Sequence, residues 1–292
     1  MLMKNAGIFL LLLIPLLSGK AQENENAEFK PLLGVCTSVQ NHELVSQAGF
    51  DYIEEGVRRF LVPDKPEEEF LKNLKILEES SIPILACNGF LPGSLKSTGP
   101  QTQHEEILVF AETAFRRAQR SGIKTIVFGS SGSRNYPEGF DKEKAVDQFT
   151  ELLAKMGPLA ARYDVTVVIE PLRKDESNIV NRVEEAYQIA LKVDHPNIRV
   201  LGDIFHMMRE DEPPESLIEA RKTLAHMHIA EKEKRTAPGL AGDNFVPYLI
   251  GLEKAGYRGG ISIEGSWGDK NDFAENLIIA RSYLQAQINT LH

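Results

Sequence analysis

The chain is 292 residues long and carries a formal net charge of −9. A surface this acidic argues against nucleic acid or an anionic membrane as a partner, because both carry the same sign. The roughly 265 residues that follow an N-terminal leader suit one large single domain, a size common among (β/α)8 barrels.

Met1 to Ala21 reads as a signal peptide. Lys4 supplies the positive start, Ile8 to Leu17 the apolar run, and Gly19-Lys20-Ala21 a small-residue cleavage site. About ten apolar residues are too few to span a bilayer comfortably, and no Cys stands at the cleavage site for lipid attachment. The chain is therefore expected to be exported, to the periplasm or the exterior, with no stable membrane span after cleavage. Residues 22–30 are expected to form a disordered leader, and residues 31–292 the catalytic domain.

Eight strand–helix units follow, with no linker between them. Strands are predicted at Leu32–Cys36, Tyr52–Glu55, Ile84–Cys87, Thr125–Phe128, Val165–Glu170, Val200–Asp203, Ala225–Ile229 and Gly260–Glu264. Amphipathic helical patterns include Glu67–Glu79, Glu105–Arg120, Lys142–Arg162, Val183–Lys192 and Phe273–Leu291. Thr102 with Glu105, Asn181 with Glu184, and Asp272 with Glu275 read as capping boxes. Strands alternating with helices at roughly 30-residue spacing give an α/β fold with a parallel sheet, and eight of them close into a TIM barrel. A doubly wound sheet would need a Gly-rich turn after the first strand, where Gly34-Val35-Cys36-Thr37-Ser38 stands instead. Cys36 and Cys87 fall in the first and third strands, which are not neighbours in a barrel, so they read as small core residues rather than a disulfide. Gly129-Ser-Ser-Gly-Ser-Arg134 lacks the Lys-Ser/Thr ending of a phosphate-binding loop and is expected to be a flexible rim loop.

The chemistry concentrates at four strand ends. Val165 to Ile169 is a β-branched apolar run that stops at Glu170-Pro171, and a carboxylate at the tip of a buried strand needs a proton or a cation. The next three strands end in Asp203, His228 and Glu264. In a parallel barrel these four side chains converge on one rim. Three carboxylates and one imidazole favour one divalent ion such as Mn2+, Co2+ or Mg2+ over a structural zinc. His226 lies two residues before His228 and so faces the same side; the one nearer the rim is the expected ligand, which leaves His226 in the core. Glu54 and Glu55 end the second strand, and one of them is expected to face the rim. Asn88-Gly89-Phe90 and Trp267 are candidate pocket walls.

At these positions the chain resembles the xylose-isomerase-like TIM-barrel family, which includes ketose 3-epimerases and hydroxypyruvate isomerases. The matching motifs are Glu170-Pro-Leu with Glu176 and Asn181, Asp203-x-x-His206, His226-x-His228-x-x-Glu231 with Pro238-Gly239, and Ile263-Glu264. The resemblance implies that Glu170, Asp203, His228 and Glu264 bind one divalent metal ion and that Glu170 and Glu264 are the acid–base pair. It further implies that Glu176 and His206 hold substrate. The family has Arg six residues after the metal His, where this chain has Lys234 followed by Arg235; both are candidate substrate-binding cations.

Such a site implies a metal-dependent sugar isomerase or epimerase that removes a proton α to a carbonyl and stabilises the enediolate. Export and the lack of a phosphate cradle point to a non-phosphorylated keto-sugar or keto-glycoside as the small-molecule partner. Elimination of an aglycone from a 3-keto-glycoside, a lyase outcome, would share the first step. Endonuclease-IV-like repair enzymes share the barrel, yet the third and fourth strands here end near Asn88 and Gly129, where that family has histidines. A non-catalytic sugar-binding barrel is the third reading.

Overall fold

The computed structural model describes residues 28–291. The expected signal peptide and residues 22–27 of the leader lie outside them. Phe29, within the expected leader, is fully buried in the main core. Packed structure therefore starts at least at that ring, because burial of one aromatic outweighs the polarity of its neighbours.

Eight parallel strands form a closed barrel in chain order: β1 (Leu32–Cys36), β2 (Tyr52–Gly56), β3 (Ile84–Asn88), β4 (Thr125–Phe128), β5 (Thr166–Ile169), β6 (Ile198–Asp203), β7 (Leu224–Ile229) and β8 (Gly260–Ile263). Strand β8 closes on β1 with Leu32 opposite Gly260 and Val35 opposite Ile263. Glu170 and Glu264 each stand one residue beyond their strand, where the ladder has stopped and the side chain can meet the mouth.

Alternation along the strands sorts residues into two environments. Val35, Ile53, Ile126, Val167, Ile169, Val200, Ile229 and Ile263 are all fully buried and join the core between barrel and helices. Burying each such side chain is worth about 1.5–3 kcal/mol. Val127, Val168 and Leu201 form a separate cluster with Ala225 inside the barrel. On the other side the interior is polar: Tyr52, Glu54, His226 and Ser262 are buried there. Tyr52 fits because its neighbours are glycines; a Cβ on Gly34 would lie 2.2 Å from its ring, and one on Gly260 2.5 Å from its hydroxyl.

The expected capping boxes do not form. Gln103 and Arg182 precede the helices His104–Arg120 and Val183–Val193, and neither these residues nor Asp272 makes a side-chain cap. Asn181 is otherwise engaged, its amide donating to Leu172 O and Ser177 O, while the buried Glu212 carboxylate accepts the Val183 N–H at 3.0 Å. The stretch after β4 is not a loose loop: Ser131–Arg134 is a helical turn and Arg134 is completely buried. Its guanidinium donates to the backbone oxygens of Phe128 and Glu170 at 3.2 and 2.7 Å, which ties the ends of β4 and β5 together. No disulfide forms between Cys36 and Cys87, and no described helix is long and apolar enough to cross a membrane.

Candidate metal centre

The ends of β5, β6, β7 and β8 bring Glu170, Asp203, His228 and Glu264 together at the C-terminal mouth. One ligand atom from each lies within 4.8 Å of all the others. His228 Nδ1 is 3.0 Å from Glu170 Oε1 and 3.4 Å from Glu264 Oε2. Glu170 Oε2 occupies the space that a Cβ at Gly129 would fill, only 2.0 Å away. Asn88 Nδ2 donates to Glu264 Oε1 at 3.0 Å, so this residue does line the site. Phe90 does not; it is fully buried among Phe110, Phe115 and Phe128.

Burying three carboxylates side by side is costly unless a cation meets them. Burial raises the pKa of Glu170, and Glu264 raises it further. Asp203 is pushed up to about 6, mainly by burial, with Arg235 and His228 opposing. Burial acts the same way on Glu264, but His228 and Arg235 outweigh it and hold the carboxyl at about 2. His228 would be kept neutral by burial, yet Glu54 and Glu264 raise its pKa well above the ordinary imidazole range. The carboxylates thus favour positive charge at this ring, which a metal ion on it would supply.

The donor set fits a divalent ion on a second count. Asp203 Oδ2 and His206 Nε2 are buried with no hydrogen-bond partner, 3.5 Å apart. Buried polar atoms are rarely left so unless a ligand or ion completes them. The other oxygen of Asp203 accepts the Phe205 N–H at 2.8 Å, which aims Oδ2 at the cluster. His206 is held by the Arg173 N–H donating to its Nδ1 at 3.2 Å, and burial pushes its pKa down to about 4. It is therefore neutral near pH 7, with Nε2 free to meet a substrate hydroxyl.

Arg235, and not Lys234, enters the site. Its guanidinium pairs with Glu264 and lies 3.6 Å from both Asp203 Oδ2 and Glu176 Oε1. It stacks over the Phe205 ring at 4.7 Å. Lys234 is exposed. The choice is made by the backbone: Arg235 has φ +48°, a left-handed conformation uncommon outside glycine, which turns the side chain back over the mouth. Gly265 permits this, since a Cβ there would be 2.8 Å from Arg235 O. The fully buried Glu231 anchors the same loop by accepting the N–H groups of Gly239, Gly242 and Asp243 at 2.6, 3.1 and 2.8 Å.

Glu176 sits at the rim, where Arg173 Nε donates to it at 2.8 Å. Trp267 and Phe273 meet edge to face at 5.3 Å and border a cavity of about 420 Å3 with Thr37 and Asn41, beside the ends of β1 and β8. Glu54 and Glu55 separate: Glu55 points away from the interior to Arg59 and the Val39 N–H, while Glu54 lies beneath His228. The sequence offered only the Glu-Glu pair; the barrel register decides which one faces in.

The fold is a closed parallel α/β barrel, and the three carboxylates and one imidazole at its C-terminal mouth form a group that could hold a metal ion. The model of the xylose isomerase-like TIM barrel family matches residues 43–283, and the chain belongs to that family. It is 27% identical over 130 residues to 3-dehydro-D-guloside 4-epimerase of Escherichia coli, covering 44% of this chain and 48% of that protein. It is also 27% identical over 131 residues to D-psicose 3-epimerase of Ruminiclostridium cellulolyticum, covering 44% of each. The match thus spans about half the length of these two relatives. Among solved structures, D-psicose 3-epimerase with D-tagatose from Clostridium cellulolyticum H10 superposes with a TM-score of 0.75 at 18% identity, covering 89% of this chain and 99% of that one.

Proposed function

We propose that this protein is a divalent-metal-dependent sugar epimerase or isomerase acting on a non-phosphorylated keto-sugar or keto-glycoside. The observation that carries the reading is the four-residue cluster with an Asp203 oxygen buried without a hydrogen bond. Glu170, Asp203, His228 and Glu264 would hold the ion. When bound, it supplies Lewis acidity to a carbonyl and adjacent hydroxyl, which makes the α-proton more acidic.

The residues divide the remaining work. Glu170 and Glu264 approach from β5 and β8, three strands apart, and so face the substrate carbon from different sides. One carboxylate removes the proton and the other returns one, to the opposite face for epimerisation or through the neighbouring carbon for isomerisation. General acid–base help of this kind is worth about 10²–10⁴ in rate. His228 and Arg235 outweigh burial and hold Glu264 ionised, ready to take the proton, while Glu170, raised by burial and by Glu264, suits returning one. His206 offers Nε2 to a hydroxyl, and Glu176 with Arg235 closes the rim.

The substrate class rests on three supports. The leader reads as an export signal, which separates the protein from cytoplasmic sugar phosphates. The stretch after β4 that might have cradled a phosphate is locked by the buried Arg134. The E. coli relative carries the name of a keto-glycoside 4-epimerase.

The test is a turnover assay with phosphorylated ketoses against free ketoses and 3-keto-glycosides, with Mn2+ or Co2+ supplied and products followed by NMR. The neutral compounds are expected to be preferred at least tenfold, about 1.4 kcal/mol in transition-state binding. A tenfold preference for the phosphorylated compounds would overturn the substrate reading. Aglycone release would assign the lyase outcome.

A further inference from the structure

Beneath the mouth, the barrel interior holds a polar column that the proton-transfer scheme does not use. Glu54 on β2 is 1% exposed, and its two carboxylate oxygens face two imidazoles on β7. Oε2 is 2.7 Å from His226 Nε2, and Oε1 is 2.9 Å from His228 Nε2. Below them Ser262 Oγ is 3.2 Å from His226 Nε2 and 2.8 Å from the Tyr52 hydroxyl, so the column continues towards the barrel floor.

We propose that Glu54 is the positioning residue of the metal centre: it fixes the His228 imidazole as the Nε2–H tautomer and so presents Nδ1 as the ligand atom. The proposal rests on the metal-dependent reading above. An ionised carboxylate has no proton to donate, so both imidazoles must direct an N–H at it. A neutral His228 that donates from Nε2 keeps its lone pair on Nδ1, the nitrogen facing Glu170 and Glu264. Carboxylates behind metal-bound imidazoles act in this way, setting tautomer and ring orientation and raising the ligand's basicity. Glu54 is itself well fixed. His226 grips its second oxygen, and β2 pairs with β1 with Cys36 opposite Glu54. The neighbouring group of Cys36, Glu54 and His228 is a rival seat for an ion, and Glu54 in it meets the same ring at Nε2. The two seats demand opposite tautomers, and that makes the choice measurable.

The experiment uses the full chain labelled with 15N-histidine. Two-bond 1H–15N spectra are recorded without metal and with Mg2+, and Mn2+ affinity is measured by calorimetry for wild type and Glu54→Gln. In wild type, one imidazole should shift on Mg2+ addition and carry its proton on Nε2. An amide cannot accept from two N–H groups with both of its heavy atoms, so Glu54→Gln leaves one imidazole without its acceptor. Mn2+ affinity should fall about 10–100-fold, with the circular dichroism spectrum unchanged. A metal-shifted imidazole protonated on Nδ1 would overturn the proposal, as would Glu54→Gln binding Mn2+ within twofold of wild type. If the variant fails to fold, the wild-type tautomer still decides. A wild type that binds neither ion would remove the metal-dependent reading as well, which separates that failure from a failure of the Glu54 assignment alone.

Discussion

The two halves of the barrel interior are built on opposite principles. On β4, β5 and β6 the inward residues Val127, Val168 and Leu201 form a dry cluster with no polar atom to satisfy. On β2, β7 and β8 the inward residues include Tyr52, Glu54, His226, His228 and Ser262, joined by hydrogen-bond contacts of 2.7–3.2 Å. Apolar filling would serve stability equally well on both sides, because buried polar networks at best recover their desolvation cost. The polar half therefore indicates function: it supports His228 and Glu264 from below, while the apolar half supplies a rigid wall from which Glu170 and Asp203 extend.

Substitutions on the two halves should separate metal binding from stability. The largest effect is expected for Asp203→Ala, which removes the buried oxygen that accepts no hydrogen bond. Bound metal should drop from about one ion per chain to none on metal analysis, with little change in apo stability, since a costly buried carboxylate disappears with it. Leu201→Ala should do the reverse. It should cost about 2–5 kcal/mol through lost burial and cavity formation, seen as a lower denaturation midpoint, with metal content retained. A Leu201→Ala protein that lost its ion while keeping its stability would break the division between halves.

Smaller effects are expected at the mouth. Arg235→Ala removes the cation held against Glu264, Asp203 and Glu176. The Michaelis constant should rise about tenfold, the equivalent of about 1.4 kcal/mol. Lys234→Ala, at an exposed position one residue earlier, should leave both kcat and KM within about twofold. Equal losses in the two variants would mean that the loop presents both cations.

The same contrast explains what the sequence made legible. Glu170, Asp203, His228 and Glu264 announce themselves because each interrupts or follows a short β-branched or apolar run, and the one-dimensional pattern of strand ends maps directly onto a barrel rim. The barrel itself follows from alternating periodicities. Glu54 was hidden, since Glu54 and Glu55 are equivalent in the sequence. Only the pairing of β2 with β1 and β3, with Gly34 and Gly260 making room for Tyr52, turns Glu54 inward. Arg235 was hidden for a different reason: a left-handed backbone at one residue chooses it over Lys234. Arg134 was misread because serines and glycines around it suggested mobility, whereas three backbone oxygens, those of Phe128, Glu170 and Val180, hold its guanidinium in place. The capping boxes failed because long-range partners such as Glu212 claimed the helix N–H groups that local side chains were expected to satisfy.

The central claim is that the carboxylates at the mouth move an α-proton of a keto-sugar and need a divalent ion to do so. The most direct measurement is incorporation of deuterium from D2O into a free ketose or a 3-keto-glycoside, quenched with chelator and read by NMR. Three samples suffice: wild type with Mn2+, wild type with chelator, and Glu264→Gln with Mn2+. Exchange is expected in the first sample alone, with Glu264→Gln slower by about 10²–10⁴ although its amide oxygen can still serve as a ligand. Equal exchange in the chelated sample, or wild-type exchange in Glu264→Gln, would contradict the claim.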